Sequence, residues 1–144
     1  MVMNEAMRKI VLQYTPKRLF MHDVWVYCIA QSVGAKIVFD STPHMLYRQH
    51  SNNVVGQGFS KFTALKRRFN RVFGGSHVRS VIAKELIEGY ASAMPEENRQ
   101  MVAMMANYDQ SMKSRFQLAF DKRFVCSNKK TYRLFQMAVL AGSL

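Results

Sequence analysis

A chain of 144 residues, 49% hydrophobic and 21% charged, has the length and apolar content of one folded domain and not those of a disordered polypeptide. Its 21 Lys and Arg against 9 Asp and Glu leave a formal net charge of +12, which calls for an anionic neighbour such as nucleic acid, an acidic membrane surface or a diphosphate. The two cysteines, Cys28 and Cys126, form no CxxC pair, and no apolar run approaches the roughly 20 residues of a bilayer span, which argues against a disulfide framework, a zinc finger or a transmembrane helix.

The opening segment, with Glu5 early and Lys9 among its apolar residues, does not read as a secretion signal, and a reducing cytoplasm is the expected setting. Asn4 is placed to cap a first helix whose apolar positions Met7, Ile10, Val11 and Tyr14 follow helical spacing, with Pro16 ending it. Asp23 then precedes VWVYCIAQSV, apolar on nearly every side, which predicts a buried central helix stopped by Gly34. The run KIVFD, the turn Ser41-Thr42-Pro43 and the run HMLYRQH predict two short strands, the second carrying Arg48 and His50 on one face.

Asn52, Asn53, Gly56 and Gly58 read as a loop, and beyond Gly58 the pattern is helical. One helix is expected from Ser60 to about Phe73 and, after the break at Gly74-Gly75-Ser76, another to about Ala93. Pro95-Glu96-Glu97 opens a third. From Met112 onward Lys122, Arg123, Lys129, Lys130 and Arg133 are set among Phe116, Leu118, Phe120, Phe124, Leu134, Phe135 and Leu140, the pattern of a basic amphipathic helix. The fold class expected is α+β and mostly helical, a short strand pair followed by a basic helical extension.

Two polar clusters carry the chemistry: His22-Asp23-Val24-Trp25, and Tyr47-Arg48-Gln49-His50-Ser51-Asn52-Asn53. Taken singly, Asp23 reads as a helix cap, Trp25 as core, His50 as a surface residue and Asn52-Asn53 as a turn. In this order and at this separation they resemble bacterial family 2 glycosyltransferases of the rhamnosyltransferase-like branch. There, His-Asp-x-Trp on a helix is followed by a small strand pair and by Tyr-Arg-Gln-His, a small residue and asparagines. The resemblance is clearest from Met21 to Gly56 and continues weakly to the carboxyl end. Val24 stands where many relatives carry a second Trp, and Ser51 where many carry Gly.

The resemblance implies a GT-A-like carboxyl-terminal segment over residues 1–58 and a basic helical extension over 59–144. It assigns Asp23 as the base that takes the proton from an acceptor hydroxyl while a nucleoside diphosphate leaves from the opposite face of the sugar. His50 then belongs near the divalent metal, Mn or Mg, and the diphosphate of a complete enzyme, with Arg48 as a further cation. His22, Trp25, Asn52 and Asn53 would line the acceptor pocket.

The sequence has no Asp-x-Asp metal motif, and 21 residues precede His22, so the expectation is a chain without a sugar-nucleotide site, inactive and metal-free alone, working with a donor-domain chain. The Gln-x-x-Arg-Trp signature of processive synthases is absent too, Trp25 being the only Trp, which points to single transfer onto a glycan or lipid-linked acceptor. Lys122, Arg123, Lys129, Lys130 and Arg133 suit an anionic surface at the inner face of the cell membrane. The alternative is a non-catalytic basic module that binds such a membrane, or nucleic acid through these residues together with Lys66-Arg67-Arg68 and Arg71, although no helix-turn-helix or zinc-finger pattern accompanies them.

Overall fold

A computed structural model describes residues 1–18, 21–42, 77–126 and 128–144, and in those residues the chain is helical. The first helix, α1 (Glu5–Val11), starts where the Asn4 side chain accepts the Met7 backbone N–H at 2.9 Å. It ends three residues before Tyr14. The second, α2 (His22–Ser32), begins one residue before Asp23, with extended Met21 as its N-cap, so Asp23 lies in the first turn and is not the capping residue. Gly34 closes it: at φ +70° it occupies the left-handed region, and the Ala35 N–H reaches back to the Ala30 carbonyl at 2.8 Å.

Lys36 to Asp40, expected as a strand, forms none, and there is no strand among the described residues. A β-branched run becomes a strand only when a neighbour takes up its backbone N–H and C=O groups. The expected partner at 44–50, the loop to Gly58, the helix from Ser60 and the bases Lys66, Arg67, Arg68 and Arg71 lie outside the described residues.

Beyond them come α3 (Val78–Tyr90), a 3₁₀ turn over Ala91–Ala93, and α4 (Glu96–Asn107), whose N-cap is Pro95. After a second 3₁₀ turn at Tyr108–Gln110, the basic tail divides into two helices, α5 (Met112–Phe120) and α6 (Lys129–Leu140). Ser111 and Asn128 cap them, accepting the backbone N–H of Ser114 at 3.0 Å and of Thr131 at 2.8 Å.

Two apolar clusters hold these helices together. In the first, Trp25 and Ile29 of α2 pack on Leu86 and Tyr90 of α3 and on Met94, while Met7, Ile10, Val11 and Tyr14 close it from the amino-terminal side. Helices before and after residue 58 thus share one core. Tyr90, fully buried, donates its hydroxyl to the Val11 carbonyl at 3.0 Å, and Glu85 accepts the Tyr14 hydroxyl at 2.8 Å and the Lys17 N–H at 2.9 Å. Asn98 of α4 donates to the Ser32 carbonyl at 3.0 Å, which satisfies a carbonyl at the end of α2. The second cluster joins Tyr108, Leu118, Ala119, Val139 and Leu144, so α5 and α6 pack on each other and on the end of α4.

Candidate functional site

The head of α2 is built by two residues of opposite character. Trp25 is 6% exposed, its ring 6.0 Å from that of Tyr90, so it anchors the first turn of the helix in the core. Its backbone N–H donates to the Met21 carbonyl at 3.0 Å, the first hydrogen bond of the helix. With that face fixed, His22 and Asp23 are left in solvent. The Asp23 carboxylate accepts the Val24 N–H at 2.9 Å in the first turn of the helix.

The arrangement offers an exposed carboxylate in the first turn of a helix that Trp25 anchors in the core. Such a group can accept a hydrogen bond or a proton from a hydroxyl brought to it from solvent. Trp25 supports this head from beneath, its ring packed away from the solvent face that carries Asp23. Arg48, His50, Asn52 and Asn53 lie outside the described residues, as does any approach of His50 to Asp23. Among the described residues no three His, Cys, Asp or Glu side chains gather in one place.

An apolar groove of about 440 Å³ runs between α2, α3 and α4, lined by Val24, Tyr27, Ile82, Met101 and Met105 among others and reaching Phe124; Asp23 is not part of its lining. Cys28 lies in its wall, where burial pushes the thiol pKa up and so disfavours the reactive thiolate. The helix expected from its sequence to be apolar on nearly every side and buried instead exposes Val24 and Tyr27 on the groove side. The signal for the groove was the spacing of Met101 and Met105, one helical turn apart on α4.

The basic residues of the tail are not equivalent. Arg123 is engaged by its own chain: its guanidinium donates to Asp121 at 2.6 Å and 3.0 Å, and this pair holds the Asp121 carboxyl at about 2, well below the usual range. Lys122, Lys129, Lys130 and Arg133 are exposed, and none of them has an ion pair among the described residues. On α5, Met112, Phe116 and Phe120 fall on one solvent face at i, i+4 and i+8, while Leu118 and Ala119 fill the core. Phe116 and Phe120 stack with ring centroids 6.1 Å apart. The tail aromatics expected as one apolar face are therefore divided between core and solvent.

Among known proteins, no family, no curated sequence and no solved structure matches this chain. No helix among the described residues is long and apolar enough to cross a membrane.

Proposed function

We propose that this chain is the acceptor-side part of an inverting family 2 glycosyltransferase, moving a sugar from a nucleoside diphosphate onto a hydroxyl of a glycan or lipid-linked acceptor. The observation that carries the reading is the pairing of sequence and placement at the head of α2: in the His22-Asp23-x-Trp25 motif, Trp25 is held in the core while the Asp23 carboxylate faces solvent. A capping aspartate alone would explain less, because Asp23 is not the cap of this helix.

In this reading Asp23 takes the proton as the acceptor oxygen attacks the anomeric carbon, and the nucleoside diphosphate leaves from the opposite face, so the configuration inverts. His22 and Trp25 shape the acceptor side, the first by contact and the second by support. His50, with Arg48, is assigned to the departing diphosphate and to the Mn or Mg ion of a complete enzyme, and Asn52 and Asn53 to the acceptor pocket. The nucleotide-binding half, with its Asp-x-Asp motif, lies outside these 144 residues.

The test is reconstitution. The chain, joined in cis or in trans to a family 2 donor domain bearing Asp-x-Asp, should release nucleoside diphosphate from a sugar nucleotide in the presence of acceptor and manganese. Alone, titrated calorimetrically with the same sugar nucleotides, it should give little heat. Specific micromolar binding of a sugar nucleotide by the chain alone would contradict the division of labour proposed.

A further inference from the structure

From Met112 to Leu144 the sequence has seven Lys or Arg and one acid, Asp121, and that acid is neutralised by Arg123. The remaining charged side chains of this segment are therefore all cationic. Within it, Met112, Phe116 and Phe120 are 58%, 51% and 57% exposed, a continuous apolar stripe along α5. Lys113 lies beside the stripe, three residues before Phe116, and Lys122 follows its far end; both are exposed and without an ion pair among the described residues. Phe116 and Phe120 also form one wall of an open trough of about 780 Å³, with Ala103 and Met104 of α4 opposite.

A second feature points the same way. Lys129 and Lys130 occupy the first two positions of α6, at the positive end of its dipole, where cations are disfavoured. An anionic counter-surface relieves that repulsion.

We infer that α5 is a membrane-docking helix: Met112, Phe116 and Phe120 enter the headgroup region of an anionic bilayer, and Lys113, Lys122, Lys129 and Lys130 pair with lipid phosphates. Aromatic and thioether side chains flanked by lysines are the composition of an interfacial helix, which lies in the membrane surface without spanning it. A duplex nucleic acid would use the lysines and leave the stripe in water. The inference stands apart from the glycosyltransferase reading, since vesicle binding needs neither donor domain nor acceptor.

The test is sedimentation of the full chain with phosphatidylcholine vesicles, with and without phosphatidylglycerol. The chain should bind the anionic vesicles and release them as salt rises. Phe116→Ser/Phe120→Ser should weaken binding by about tenfold or more, from lost apolar burial. Lys113→Gln/Lys122→Gln should weaken it by about fivefold per lysine. All four side chains are solvent-facing, and an unchanged emission from buried Trp25 verifies the fold of each variant. Wild-type vesicle affinity in the phenylalanine variant overturns the inference. So does duplex DNA bound tightly with no vesicle binding, or a concentration-dependent dimer that the phenylalanine variant abolishes while vesicles are not bound.

Discussion

Asp121 and Arg123 show how a charge count and a charge distribution part company. Each is a surface-type residue two positions from the other, and the Arg123 backbone N–H adds a third donor to the same carboxylate at 2.9 Å. Because the folded carboxyl, at about 2, lies below its ordinary 3.8, the stability the pair contributes is fully present above pH 3.8 and is lost as the pH falls through about 2. Asp121→Asn should therefore lower the urea midpoint at neutral pH and close most of its gap to wild type near pH 2. A different local limit is set at Gly89, in the middle of the contact between α3 and Tyr14. A Cβ there would come within 2.4 Å of the Tyr14 ring, which is held by Glu85 and by its edge-on contact with Tyr90. Helix propensity favours alanine by about 1 kcal/mol, but overpacking costs about 1–3 kcal/mol, so Gly89→Ala should lower the melting temperature. The Gly89 contact could not be read from the sequence, because it is made with a residue 75 positions away. Trp25 as core was legible, by contrast, from its size and its apolar neighbours.

At the scale of elements, punctuation residues carried the most information. Asn4, Gly34 and Pro95 each mark a boundary within a residue or so of where the helix begins or ends, since capping chemistry is local. KIVFD failed because strand formation is not local. β-branched residues suit a pleat, yet the ladder that fixes them comes from another segment. The tail gives the clearest conflict between element stability and surface chemistry. Asn128→Ala should cost about 1 kcal/mol by removing the side-chain N-cap of α6, measurable as a lower thermal midpoint. Lys129→Glu/Lys130→Glu should act in the opposite sense, stabilising α6 by about 0.3–1 kcal/mol per residue through the dipole. If docking to anionic lipid is what keeps these lysines in place, that more stable variant should also be the weaker vesicle binder.

Over the whole molecule, the first core ties the motif-bearing helix α2 to α3 and α4, and the second ties the basic helices to the end of α4. The proposed catalytic head and the proposed membrane stripe thus belong to one connected set of helices, with α4 contributing to both cores through Val102 and through Met104 and Met105. Of the candidate site, the helix that bears Asp23 was legible in the sequence, because its apolar spacing and its Gly34 stop are local signals. The hydrogen bond to Val24 and catalysis can be separated at this position. Asp23→Asn keeps the size and the hydrogen bond to the Val24 N–H, so the melting temperature should stay close to wild type. In a complete enzyme assembled with a donor domain, the same change should reduce turnover by about 10²- to 10⁴-fold with sugar-nucleotide affinity nearly unchanged, since an amide cannot take the acceptor's proton. Near-normal turnover by Asp23→Asn in an active assembly would contradict the assignment of this carboxylate as the base.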